Sequence, residues 1–146
     1  MSPPENKLLA QRLMEEGWNK RDFAVVDEIV GRDHVYHDPS SPQLGSGPEA
    51  YVNRMKLYAG AFDTYFTIED LIAEGDRVVV RWSVRGRNDL NLTGITIHRI
   101  SGEKIVETWG NWDALGLMQQ LKDAQASQQI GQRDGFGNRS ATRKQL

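Results

Sequence analysis

Three stretches of this chain carry side chains able to move protons: His34-Val-Tyr-His-Asp-Pro39, Ile97-His98-Arg99, and Glu107-Thr-Trp-Gly-Asn-Trp-Asp113. A carboxylate held partly dry can take a proton from carbon beside a carbonyl once its pKa is raised. Asp113 is the first candidate for that role, because it closes a strand-like segment just where a helical one begins. An aspartate before Ala114-Leu-Gly-Leu-Met is equally a good helix N-cap, and the two roles are compatible. His98 is a candidate partner or, alternatively, a structural hydrogen-bonder of its strand. Asp38, before Pro39, suits a loop-capping residue. His34 and His37, three apart on a short strand, face opposite sides, so no metal site is expected.

Alternation over residues 105–113 separates two faces. Ile105, Glu107, Trp109, Asn111 and Asp113 point one way, and Val106, Thr108, Gly110 and Trp112 the other. The first face mixes acids, an amide and an indole, which suits a pocket better than a core. A two-residue turn at Ser101-Gly102, or a loop longer by two, sets His98 on that face; a three-residue loop sets it on the other. At roughly 3.3 Å per residue, His98 falls about 25 Å along from Asp113 unless the sheet bends or bulges. Trp18, Tyr51, Met55, Trp82 and Trp109, with Asn111, are candidate substrate-binding walls; each is also ordinary core at its spacing. Arg81 and Arg85 alternate with apolar neighbours and suit solvent or a subunit interface.

The elements that must position these residues follow from periodicity. Residues 6–19 and 22–30 read as helices, the second with Asp22 as N-cap and Gly31 as its stop. Residues 35–38 form a short strand, closed by Pro39-Ser-Ser-Pro42. A third helix over 47–62 opens with Pro48 and lines Tyr51, Met55, Tyr58 and Phe62 along one side. From Tyr65 the period changes to two, giving strands over 64–73, 76–86, 90–100 and 104–112, with turns at 74–76, 87–89 and 101–103. A last short helix covers about 113–122. Helices followed by an antiparallel meander predict an α+β fold. Residues 1–5 read as an extension, 6–122 as the domain and 123–146 as a flexible polar tail.

Composition narrows the partners. The chain has 146 residues, 38% hydrophobic and 26% charged, with net charge −2 and no cysteine. That describes one soluble domain, gives no electrostatic case for nucleic acid, and excludes disulfides and thiolate sites. No apolar run suits a membrane span, and the N-terminus lacks a signal-peptide plan, so a cytoplasmic location is expected.

The stretches 34–39, Ile68-Glu-Asp-Leu-Ile-Ala-Glu-Gly-Asp-Arg-Val-Val-Val-Arg-Trp82 and Ile97-His-Arg-Ile-Ser-Gly-Glu-Lys-Ile-Val-Glu-Thr-Trp-Gly-Asn-Trp-Asp113 together resemble the SnoaL-like polyketide cyclases. This is a branch of the NTF2-like superfamily that also holds the ketosteroid isomerases. The resemblance implies a cone of helices packed in a curved antiparallel sheet, a pocket for a hydrophobic small molecule, and a homodimer through the outer sheet face. It further implies Asp113 as acid/base with His98 beside it, Asp38 as a secondary acid/base by its likeness to the ketosteroid isomerase base, and ring closure with no cofactor. Two departures stand out. The segment Val84–Gly94 crosses directly, without the long hairpin usual in the family. The first helix offers Met14 and Trp18 where ketosteroid isomerases place a tyrosine. A non-catalytic ligand-binding or oligomerisation module is therefore the alternative, together with isomerase, dehydratase or epoxide hydrolase activity on the same scaffold. For the hydrolase, Arg99 and Asp113 are available but lie on opposite faces.

Overall fold

A computed structural model describes residues 2–41, 43 and 45–137, with side chains through residue 126. The chain divides into two compact units, Met1–Asp113 and the segment from Ala114 onward. The first unit holds three helices, a π-helical turn and a five-stranded sheet.

Helix α1 spans Pro3–Arg12, earlier than expected, because Ser2 and Glu5 form a reciprocal capping box and prolines occupy its first turn. The helix then widens into a π-helical turn over Leu13–Trp18, in which Asn19 N–H reaches back to Met14 O at 3.0 Å. Helix α2 (Phe23–Ile29) is capped by Asp22, whose carboxylate accepts from Val25 N–H. Helix α3 (Gly47–Phe62) buries Tyr51, Arg54, Met55 and Ala59 and ends at Asp63 in the left-handed conformation.

The sheet runs in the order β1-β5-β4-β3-β2, formed by Val30–His37, Tyr65–Glu74, Arg77–Gly86, Leu90–Ser101 and Lys104–Trp112 as β1 to β5. The last four strands make the expected antiparallel meander. Strand β1 begins at Val30, directly after α2, and pairs parallel to β5, which makes the sheet mixed. The β4–β5 turn is Gly102-Glu103, both left-handed (φ 57° and 63°), between the paired residues Ser101 and Lys104. Two positive φ values fit the turn that matches strand twist in a two-residue hairpin.

A bulge at Val106 decides the faces. Ile100 pairs with Ile105, yet Arg99 pairs with Glu107 and His98 with Thr108. One surplus residue on β5 puts Ile105, Thr108 and Gly110 on the buried face. The expectation of strict alternation from Ile105 to Asp113 is thereby corrected. His98 faces with Thr108, as a three-residue loop would have placed it, although the turn itself has two residues.

The helix-covered face of the sheet carries Val78, Val80, Trp82, Val84, Leu90, Leu92, Ile100 and Ile105, all buried. Each such side chain contributes about 1.5–3 kcal/mol of burial. Two glycines let rings lie against the strands. A Cβ on Gly94 would stand 2.2 Å from Trp82 Cζ2, and one on Gly110 would stand 2.8 Å from the Tyr36 hydroxyl.

The second unit is helix α4, Ala114–Gly137. It continues well past residue 122, where a flexible tail was expected. Alanine, glutamine and lysine sustain helix propensity even where apolar anchors are missing. The rest of the expected tail, 138–146, lies outside the described residues. Among the described residues, no helix is long and apolar enough to cross a membrane.

Candidate functional site

The interior of the first unit is polar at its centre. The Asp38 side chain, one residue past β1, is 2% exposed, and that of Arg54 in α3 is 5% exposed; their Oδ2 and Nη1 atoms lie 3.1 Å apart. Trp112 Nε1 donates to the same Oδ2 at 2.9 Å, and Ser40 N–H donates to Oδ1 at 2.8 Å. The guanidinium also donates to Ser41 Oγ, which accepts from the Tyr58 hydroxyl, and lies 3.9 Å over the Tyr36 ring. Taking two charges out of water costs several kcal/mol per ion unless partners surround them, and here Asp38 has three donors while Arg54 has two acceptors and a ring face.

Below this pair sit two histidines on one hydroxyl. Thr108 Oγ1, fully enclosed, is 2.8 Å from His34 Nε2 and 2.8 Å from His98 Nδ1. Burial pushes His34 down to about 4, with the Arg54 cation adding to the shift. Burial pushes His98 down to about 3, with His34 adding to it. Both rings are therefore neutral at pH 7. Burial raises Tyr36 to about 12, and raises Tyr51 further still, so both phenols stay protonated. Tyr51 accepts from Trp18 Nε1 at 3.0 Å.

His34, Tyr36, Tyr51 and Arg54 converge on a partly open cavity of about 10 Å³, lined also by Gln43 and Gly45 of the β1–α3 connection. That volume is room for one water. The cavity thus offers one cation, two neutral phenols and one neutral imidazole. Such a set suits a carbonyl or enolate oxygen, whose charge these donors would stabilise in a dry site.

A family model described as SnoaL-like polyketide cyclase matches residues 8–121. The chain belongs to the SnoaL-like polyketide cyclase family. Its fold agrees with solved relatives. A candidate polyketide cyclase of Acidithiobacillus ferrooxidans is 28% identical, with a TM-score of 0.73 over 85% of this chain and 99% of that one. A candidate polyketide cyclase of Bacillus cereus is 26% identical, with a TM-score of 0.71 over 81% and 80%. A candidate ketosteroid isomerase of Kribbella flavida is 18% identical, with a TM-score of 0.67 over 75% and 78%, and shares the fold. No curated protein matches the chain.

Within this SnoaL-like fold the sequence candidates separate. Trp18, Tyr51, Met55 and Trp82 are all buried. Phe66 links the two indoles, 5.0 Å from Trp18 and 5.1 Å from Trp82. Of these four, Tyr51 lines the cavity. Trp109 and Asn111 do not join them, because the bulge turns both to the outer face. There Trp109 stacks on His37 at 5.5 Å and lies beneath Arg77, while Asn111 is exposed. Glu107 shares that face, held by His37 at 2.8 Å and by Arg99; the His37 bond first, then the Arg99 bond and charge, pulls its carboxyl below the usual range.

His98 lies inside and Asp113 is exposed, one residue past β5, with its N–H on Thr93 O at 3.1 Å. Asp113 stands five residues beyond Thr108, roughly 17 Å along the strand at about 3.3 Å per residue. The turn at Gly102-Glu103, one residue later than expected, shortens the separation from His98 by two residues, and the bulge shortens it by one more. Asp38 is the carboxylate inside. Sequence reasoning passed over Arg54, Tyr36 and Thr108 as site residues. Arg54 left a signal: it is a charge at helical spacing between Tyr51 and Tyr58 in an otherwise apolar stripe.

Proposed function

We propose that this SnoaL-like protein closes a ring in a polyketide-type substrate by cofactor-independent intramolecular aldol attack. The Asp113 carboxylate takes a proton from carbon flanked by carbonyls. The enolate carbon then forms a C–C bond to a ketone carbon of the same chain, and the resulting alkoxide takes the proton back from Asp113. Arg54, with Tyr51 and His34, receives a further carbonyl oxygen of the long substrate, and the substrate's own conjugation spreads the enolate's charge. Binding that holds the two reacting carbons of the chain together supplies the orientation.

One observation carries this reading: the bonds from Trp112 Nε1 to Asp38 and from Arg54 to Asp38 tie the residue preceding Asp113 to the cationic side of the cavity. A buried ion pair and two buried histidines are an expensive way to fill a core, and such groups concentrate at reactive sites.

The test is Asp113→Asn, assayed on a poly-β-ketone substrate. General acid–base loss predicts a fall of about 10²–10⁴ in turnover, with the unfolding midpoint nearly unchanged. Full activity in the variant would refute Asp113 as the acid/base.

The small cavity favours a second reading, a non-catalytic module. On that reading the chain acts through oligomers, and wild type shows no turnover on any such substrate. A homodimer belongs to both readings. The outer face carries an apolar row across the sheet, Ile72, Val79, Ile97 and Trp109, in register. A two-fold contact needs only one such self-complementary patch. Trp109→Glu should shift the protein from dimer to monomer in light scattering; an unchanged mass would refute that interface.

A further inference from the structure

We propose that Thr108 is a positioning residue whose single hydroxyl proton ties the tautomers of His34 and His98, and so sets what His34 offers at the cavity. The geometry leaves little choice. A threonine hydroxyl has one proton to give and two lone pairs, and a neutral imidazole has one N–H and one bare nitrogen. Oγ1 meets Nε2 of His34 and Nδ1 of His98, each at 2.8 Å.

If both nitrogens facing Oγ1 were bare, only one could receive the hydroxyl proton. If both carried hydrogen, the hydroxyl proton would have no acceptor among the described residues, and Thr108 is fully enclosed. One nitrogen must therefore donate and the other accept. Because the facing atoms are Nε2 on one ring and Nδ1 on the other, the two rings always carry the same tautomer. Either both are protonated at Nε2 or both at Nδ1. Depressed imidazole pKa values keep the doubly protonated forms out of this scheme at neutral pH.

The consequence reaches the cavity. His34 lines it and has already committed Nε2 to Thr108, so Nδ1 is the nitrogen left for a ligand. A ligand oxygen needs Nδ1–H there, and that form requires His98 to be protonated at Nδ1 as well. A ring with no place in the cavity lining thus gates the polarity of one that has such a place. The functional meaning rests on the cavity receiving a carbonyl oxygen of the proposed substrate; the tautomer lock itself does not.

The experiment is long-range ¹H–¹⁵N NMR of imidazole-labelled protein at pH 7, which reads which nitrogen is protonated without any substrate. Wild type should show His34 and His98 in the same tautomer, and Thr108→Ser, which keeps the hydroxyl, should show the same pattern. Thr108→Val should break the agreement, with at least one ring changing tautomer or averaging between both. Opposite tautomers in wild type, or an unaltered pattern in a folded Thr108→Val, would overturn the proposal. If the valine variant does not fold, the wild-type and serine spectra decide: opposite tautomers in either one overturn it. Failure of the cyclase reading in the Asp113→Asn assay leaves these spectra untouched, so the two ideas fall separately.

Discussion

Lowering the pH from 7 to 5 should destabilise this protein through its two interior histidines. His34 at about 4 and His98 at about 3 stay neutral in the native state over that range. In the unfolded chain each returns to about 6.5 and takes up a proton. A depressed histidine pKa means the stability is fully present above the unfolded value and is lost as pH falls toward the native one. Integrating proton uptake from pH 7 to 5 gives about 2 kcal/mol per ring and about 4 kcal/mol for the pair. Against a total stability of about 5–15 kcal/mol this is a large fraction. The carboxyls of Glu5, Glu28 and Glu107 are also lowered, by their partners, and because a carboxyl's unfolded value is itself more acidic than a histidine's, their contributions disappear only under stronger acid. Urea unfolding at half-unit steps between pH 7 and 5 measures the effect, and His98→Gln should remove about half of it. A change below about 1 kcal/mol in wild type would refute the reasoning, because it would mean the rings are solvated or already charged in the native state.

Other outcomes follow from the same geometry. Arg54→Leu leaves the Asp38 carboxylate enclosed with only Trp112 and Ser40 as donors, and should cost about 3–5 kcal/mol in urea unfolding; a loss under about 1 kcal/mol would mean the pair is solvated. Gly94→Ala drives a methyl into the Trp82 ring and should cost about 1–3 kcal/mol, with a changed near-ultraviolet circular dichroism spectrum. An unaltered spectrum would show that the indole does not lie over that strand.

The fold was legible because its signals are local and redundant. The switch from helical to two-residue periodicity at Tyr65, the Asp22 cap and the Gly102-Glu103 region each locate an element within a residue or two. The start of α1 was also written in Ser2-Pro-Pro-Glu5, and reading it as an extension overlooked a capping box. The site was less legible for a physical reason. Side-chain period in a strand is two, so a single surplus residue reverses every assignment beyond it. Nothing in Lys104-Ile-Val-Glu107 distinguishes a bulge from a regular ladder, so Trp109 and Asn111 read as inward-facing. Thr108 carried no chemical signal of its own; it matters only because two histidines from different strands meet on it.

The Val106 bulge also makes the interior unequally tolerant of changes in chain length. Between the turn and Thr108, strand β5 is one residue longer than a regular ladder requires, and the excess is stored at Val106. Removing one residue there can be absorbed by straightening the ladder, with Thr108 still opposite His98 and Glu107 still opposite Arg99. Adding one residue has no such reserve to draw on. Drift by deletion between the turn and Thr108 should therefore leave the lining intact, whereas drift by insertion there exchanges an imidazole-and-hydroxyl interior for one of acids and indole. A one-codon slip could thus change the chemistry of the interior without altering any residue that performs it.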